Sequence, residues 1–241
     1  MSVVLLRLAG PLQSWGSSSR FNRRATNPEP TKSGVLGLVA AALGLRRTDR
    51  LDELRPLSFG VRADQPGQLL RDFQTAHRKI PLRGGKIREE ALPLSSRHYL
   101  SDAAFLAVLE GDDELVGKIN AALRRPTFPL FLGRRSCPPA GPVALGVADG
   151  GLDEALASWP WLAGQHEQRR HRTAAVRLAA VRDARPGEGP TDLLHDIPIS
   201  FDPNHRRYEW RPVMRYHVEI PNPHGAAPLG ADHDPMATLE V

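Results

Sequence analysis

Short apolar runs and helical stripes follow one another in a definite order along the first 150 residues. Val3–Leu8 (VVLLRL) is an apolar run closed by Gly10-Pro11 and reads as a buried strand. Residues 13–30 show no period and read as a long loop of the kind that often carries function. Thr31 is an N-cap for a helix to about Leu43, because Val35, Leu38, Val39, Ala42 and Leu43 share one stripe, and Gly44 suits the left-handed residue after it. Leu57–Asp64 alternates in part, as a half-buried strand does. Ala103–Glu110 is a more fully apolar strand. Asp112 caps a second helix with stripe Leu115, Val116, Ile119, Ala122 and Leu123, ended by Pro126, and Pro142–Ala148 is a last strand. The order strand, helix, strand, strand, helix, strand predicts an α+β fold, a ferredoxin-like (RRM-like) βαββαβ domain over residues 1–150.

Between the second and third of these strands lies a long polar insert, Asp72–His98, with Arg78, Lys79, Arg83, Lys86, Arg88 and Arg97 around Gly84-Gly85. A Gly-Gly turn with extended arms predicts a protruding basic β-hairpin, the alternative being a disordered loop. Residues 151–241 form a smaller, loop-rich C-terminal region that still contains β-strands. A short helix is expected at Leu152–Trp159, then a charged stretch at Gln165–Arg172. Ala175–Asp183 fits strand or helix. Met214, Tyr216, Val218 and Ile220 alternate with polar residues as a strand, and nine of the 22 prolines fall between Pro186 and Pro235.

Charge narrows the choice of partner. The first 100 residues hold 17 Lys+Arg against 8 Asp+Glu, whereas the chain as a whole carries only +5. A basic half suggests a polyanion, since clustered cations release counterions on neutralising phosphates; a solvated basic surface is the plainer reading. One cysteine among 241 residues excludes a disulfide framework and cysteine-rich zinc sites. The apolar runs are too short to span a bilayer, and no signal-peptide core is visible, so a cytoplasmic protein is expected.

Candidate chemistry is defined largely by what is missing. Lys32-Ser33 follows Asn27-Pro28-Glu29-Pro30 rather than GxxxxG, which removes the phosphate cradle of a nucleoside triphosphatase. Lys32 and the helix-start N–H groups can still hold one phosphate of a polymer, or Lys32 is simply an exposed first-turn lysine. Gly133-Arg134-Arg135-Ser136 joins a close-approach glycine to two phosphate-binding side chains and a hydroxyl, or is a solvated basic turn. Cys137, with no histidine near it in sequence, reads as a small buried hydrophobe. His77, His98 and Tyr99, with Lys32 for charge, are the set a metal-independent RNA cleavage would use. His224, Asp232, His233 and Asp234 sit in a tail without a rigid framework, so no metal site is expected.

Five segments carry a family resemblance: Leu8–Gly16, Pro30–Leu38, Leu70–Thr75, Arg97–Phe105 and Leu132–Pro138. In this order and spacing they resemble the type I-E members of Cas protein family five, RAMP-superfamily subunits of the CRISPR surveillance complex Cascade. The resemblance is strong over residues 1–140 and weak beyond. It implies an RRM-like domain with a thumb at about residues 73–98 and no cofactor. It also implies a non-catalytic, antiviral subunit that grips the 5′ handle of the crRNA. The same resemblance implies contacts with the CasC backbone subunit and the CasA large subunit, and an indirect approach to target DNA near the guide 5′ end. A type I-C relative that cleaves repeat RNA keeps a metal-independent endoribonuclease as the alternative. On this basis RNA contacts are expected from Gln13, Ser14, Trp15, Arg20, Lys32, Ser33, Arg97, Gly133, Arg134, Arg135 and Ser136. Arg23 and Arg24 are expected to funnel RNA or meet a partner. Arg78, Lys79, Arg83, Lys86 and Arg88 are expected against the guide–target duplex or a neighbouring subunit. Trp15 stays open between contact and core.

Overall fold

The run Val3–Leu8 becomes the middle of a twelve-residue strand, β1 (Ser2–Gln13), buried on both faces. The computed structural model describes residues 1–16 and 22–225, and the remaining elements follow in chain order. They are a two-residue β2 (Arg23–Arg24), α1 (Lys32–Leu43), β3 (Ser58–Gln65), β4 (Gln68–Gln74), β5 (His77–Pro81), β6 (Ile87–Ala91) and β7 (Ser95–Gly111). Then come α2 (Asp113–Arg124), β8 (Ala144–Asp149), α3 (Leu152–Ser158), α4 (Gln165–Arg170), β9 (Ala175–Asp183), β10 (Asp192–Ser200) and β11 (Arg207–Pro221). This is a mixed α/β protein, strand-rich with few helices.

Both long helices start and stop on local chemistry. The Thr31 hydroxyl accepts the Gly34 N–H at 3.2 Å, and Gly44 closes α1 at φ +82°. The Asp112 carboxylate accepts from the N–H groups of Glu114 and Leu115 to open α2. α2 turns only Val116, Ile119 and Leu123 fully inward, while α1 is buried on most of its circumference.

The main sheet runs in the order β10-β11-β9-β3-β7-β1-β8, every neighbouring pair antiparallel. Alternation along β1 divides its side chains between two layers. Val4, Leu6 and Leu8 join α1 and α2 in the larger core, while Val3 and Leu5 meet Leu152, Ala155 and Leu156 of α3 on the opposite face. The sheet continues across residue 150, because β9 pairs with β3 at Gly60–Arg62.

β7 is long enough to serve two purposes. Its later part pairs with β1 and β3, and its first part pairs with β4, from Gln68 opposite Ser101 to Gln74 opposite Ser95. The chain passes from β3 to β4 through Gly67 at φ +71°, where an added Cβ would collide with the Ser101 carbonyl oxygen. Beyond β4 the hairpin continues as the separate pair β5–β6, closed by Gly84 and Gly85, both at positive φ with nothing packed against them. The expected basic hairpin therefore has a root, β4 with the start of β7, and an exposed tip.

The second half resolves one open choice and adds two elements. Ala175–Asp183 is a strand. The charged stretch after Gly164 is helical over Gln165–Arg170. Residues 192–200, within the stretch read as loop-rich, form β10: it is the outermost strand, so Pro198 and two register shifts are tolerated there. Among the described residues no helix is long and apolar enough to cross a membrane.

Candidate nucleic-acid interface

Arginines converge at the root of the hairpin. β2 lies parallel to β7 and sets Arg24 opposite Arg97, while β4 lies on the other side of β7 and sets Asp72 opposite Arg97 and Arg71 opposite His98. Strand alternation places Arg97 on one face and Arg71 on the other. Arg71 reaches the Ser96 hydroxyl at 3.1 Å, and the Arg97 Nε is buried with no hydrogen-bond partner. Oδ2 of Asp72 accepts from the Gln74 amide at 2.6 Å.

The turn after Phe131 is built around a close approach. Gly133, at φ +83°, lies against the Ser14 carbonyl, and an added Cβ would collide with that oxygen. The Ser14 N–H donates to the Leu132 carbonyl and the Ser14 hydroxyl to the His98 carbonyl at 3.1 Å. Arg134 donates to the carbonyls of His98 (3.2 Å) and Arg24 (2.8 Å), and its guanidinium sits over the Tyr99 ring. Arg134 thus ties the turn to β2 and β7 from a half-buried position. Arg135 and Ser136 are exposed; the Ser136 hydroxyl touches only the Cys137 sulfur, at 3.9 Å, and burial pushes the Cys137 thiol upward in pKa.

Beside this turn opens a groove of about 500 Å³, bounded by one side of α1 and the residues just after it, residues 128–131 and the β10–β11 turn. Five rings border it: Trp15, Phe128, Phe131, Phe201 and Tyr208. So do four arginines: Arg46, Arg47, Arg135 and Arg206. Among the described residues no carboxylate lines it, and none of the four arginines is in an ion pair. Gly34 and Gly37 keep its floor low; a Cβ on Gly34 would meet the Trp15 ring at 2.8 Å. Rings for bases and unpaired cations for phosphates suit a single-stranded polyanion.

Several residues expected to touch a ligand are instead internal. Gln13 is fully buried: its amide donates to the carbonyls of Leu8 and Ala103 and accepts from the Trp15 indole at 3.0 Å. Trp15 is a core residue whose ring edge reaches the groove wall. Ser33 is buried against the Thr31 hydroxyl, 3.4 Å away, at the groove edge. Lys32 requires the largest correction. Its ammonium pairs with Asp183 at 2.9 Å and its backbone N–H donates to Asp196 at 2.8 Å, so the helix start holds two carboxylates of this chain rather than a phosphate. Arg211 completes the group, bidentate to Asp196 and 2.6 Å from Asp183. Burial by itself would lower the Arg211 pKa, but the two carboxylates outweigh it and hold it above the ordinary value. Nothing in the local sequence near Lys32 signals partners 151 and 164 residues away.

On the hairpin tip Arg78 pairs with Glu90 (2.7 Å) and Lys79 with Glu89 (3.8 Å), while Arg83, Lys86 and Arg88 are exposed. Of the residues weighed for RNA cleavage, Tyr99 is buried under Arg134, His77 is exposed on β5, and the His98 Nδ1 is buried without a partner. Arg20, Asp232, His233 and Asp234 lie outside the described residues.

Sequence reading missed Arg46, Arg47, Arg71, Arg206, Phe128, Phe131, Phe201 and Tyr208. Two signals were present: paired arginines directly after the α1 cap, and Arg206-Arg207-Tyr208, where cations and a ring adjoin.

The class follows from the fold and this side of it: a strand-rich α/β protein with a two-stage basic hairpin beside a ring-lined, carboxylate-free groove. The model of the CRISPR-associated protein family (Cas_Cas5) matches residues 3–214, and the chain belongs to that family. It is similar to the CRISPR system Cascade subunit CasD of Escherichia coli (strain K12), 36% identical over an alignment of 162 residues that covers 61% of this chain and 71% of that protein. Among solved structures, a chain of a CRISPR RNA-guided surveillance complex superposes with a TM-score of 0.76 at 34% identity, covering 98% of both chains. A second, described as the crystal structure of a Cas protein, gives 0.68 at 36% identity over 92% of this chain and 97% of that one.

Proposed function

We propose that this chain is a non-catalytic, RNA-binding subunit of a type I-E Cascade complex, and that it grips the 5′ handle of the crRNA. The observation that carries this reading is the groove beside Gly133, where, among the described residues, Arg46, Arg47, Arg135 and Arg206 have no ion-pair partner and stand among aromatic rings with no carboxylate. The likeness to a Cascade subunit and to a chain of an RNA-guided surveillance complex supports the assembly. In this reading residues 1–150 form a ferredoxin-like domain, supported by the antiparallel order β8-β1-β7-β3 with α1 and α2 on one face. Residues 151–241 are the C-terminal region that extends its sheet.

The groove and the hairpin root act together. Arg24 and Arg97, neighbours across β2 and β7 at the root, neutralise phosphates as the strand enters. The groove rings then receive splayed bases, and Arg135 and Arg206 take the adjoining phosphates. The exposed tip around Arg83, Lys86 and Arg88 reaches a neighbouring CasC subunit or the guide–target duplex. CasA is seated nearby, with target DNA approached only near the guide 5′ end, in the cytoplasm. Lack of catalysis is consistent with Tyr99, buried beneath Arg134 and withdrawn from acid–base work.

The test replaces Arg46, Arg47 and Arg135 together by alanine. Handle affinity should fall by at least tenfold, with a shallower dependence on salt, since about three phosphate contacts are lost. Unchanged affinity and unchanged complex assembly refute the assignment. Cleavage of repeat RNA by the purified chain in EDTA, abolished in His98→Ala, would establish the endoribonuclease instead.

A further inference from the structure

The outermost hairpin of the sheet, β10–β11, carries a ring stack that the groove only borders. His195 on β10 lies opposite Trp210 on β11, with ring centroids 4.9 Å apart at an interplanar angle of 42°. Tyr208, on the same face of β11, meets His195 edge-on at 6.1 Å. A carbonyl can only accept, so the His195 Nε2–H donates to the Tyr208 carbonyl at 3.1 Å, which fixes both tautomer and ring orientation. Trp210 is held on this support with 64% of its surface exposed, the most exposed aromatic side chain among the described residues.

Its surroundings favour a nucleobase over an apolar protein surface. Arg206 and Arg207, just ahead of Tyr208, are exposed and without ion-pair partners among the described residues. Glu209, the one carboxylate between Tyr208 and Trp210, alternates to the opposite face and pairs with Arg55 at 3.4 Å. Arg206 and Tyr208 also border the groove, so the platform continues that surface. Nucleobases have an apolar face for an indole and a phosphate within reach of a neighbouring guanidinium.

We propose that Trp210, supported by His195 and Tyr208, stacks one base of the single-stranded RNA where it leaves the groove past Arg206, with Arg207 on the adjoining phosphate. This rests on the groove holding RNA. It adds a stacking station on the C-terminal region, beyond the groove wall that Phe201, Arg206 and Tyr208 supply.

The full chain is titrated with an eight-nucleotide oligo(A) RNA while tryptophan emission is followed. Trp161 is buried and Trp159 half-buried, while Trp15 reaches the groove wall, so the quenching that Trp210 contributes is the part lost in its variant. Trp210→Ala should lose the larger part of the quenching and bind roughly tenfold more weakly with an unchanged salt slope, because stacking rather than phosphate contact is removed. Trp210→Phe, which keeps a ring, should retain most of the affinity. If Trp210→Ala binds like the parent while the groove triple variant binds weakly, the platform is overturned and the groove reading stands. If neither variant changes binding, both fail. If Trp210→Ala binds RNA normally but no longer assembles with the other Cascade subunits, the face docks protein and the stacking proposal is overturned.

Discussion

The guanidinium of Arg134 lies 4.7 Å from the centroid of the Tyr99 ring while its nitrogens are committed to carbonyls of β2 and β7. Those bonds leave Arg134 as the brace of the interface and Arg135, its neighbour, as the side chain free to meet a ligand. Two adjacent arginines, alike in sequence, have different tasks because only one of them finds carbonyl partners in the fold.

Arg134→Ala should therefore lower stability by about 1–2 kcal/mol, from lost charge-assisted hydrogen bonds and the cation–π contact. Arg134→Lys should recover little, since one ammonium cannot span both carbonyls over a ring. Arg135→Ala should leave the unfolding midpoint unchanged and weaken RNA binding. Urea unfolding and filter binding on the same three variants separate the two roles.

Gly133→Ala should destabilise by about 1–3 kcal/mol, because alanine resists the left-handed backbone and its Cβ meets the Ser14 carbonyl. The turn would shift away from β1, so RNA affinity should fall as well. A melting curve and a binding titration at a temperature where both proteins are folded check this.

The buried quartet of Lys32, Asp183, Asp196 and Arg211 predicts a stability effect with little direct effect on binding. Asp196→Ala removes the bidentate acceptor of Arg211 and the acceptor of the Lys32 N–H, leaves Asp183 as the remaining carboxylate, and should cost about 3 kcal/mol. Lys32→Met leaves Asp183 its Arg211 partner and should cost less. An RNA affinity that drops in Lys32→Met with no change in stability would contradict the internal role.

Two groups set the pH limits of the second half. Arg182 and the Arg185 backbone N–H hold the Glu188 carboxyl down to about 2, so this contact contributes fully above the ordinary glutamate pKa and is lost as pH falls toward 2. Burial, then the nearby Asp153 carboxylate, push the Tyr216 hydroxyl up to about 12. The unfolded chain releases that proton near pH 10 and the folded chain does not, so stability declines from about pH 10 to 12. Glu188→Gln should flatten the acid limb and Tyr216→Phe the alkaline one, in unfolding midpoints measured across pH.

Much of the first 150 residues was legible, because the signals are local. Thr31 and Gly44 bracket α1, Asp112 opens α2, and the Gly-Gly turn marks the hairpin tip. The site was less legible. Gln13 and Lys32 have the polar, loop-side setting of ligand residues, yet their partners include Ala103 and Asp183, which only the folded sheet brings near, and Trp15 packs against Gly34 of α1. β10 was hidden by Pro198, a strand breaker that an edge position tolerates.

The amino-acid order alone determined the alternation of strands and helices, the basic hairpin and the glycine at the Gly133 turn. Each depends on side-chain period, capping or backbone freedom within a few residues. Tertiary structure decided which arginines are braces and which are free, and which rings share a groove. A guanidinium's role depends on whether an acceptor stands within hydrogen-bond distance, and here those acceptors lie up to 110 residues away along the chain.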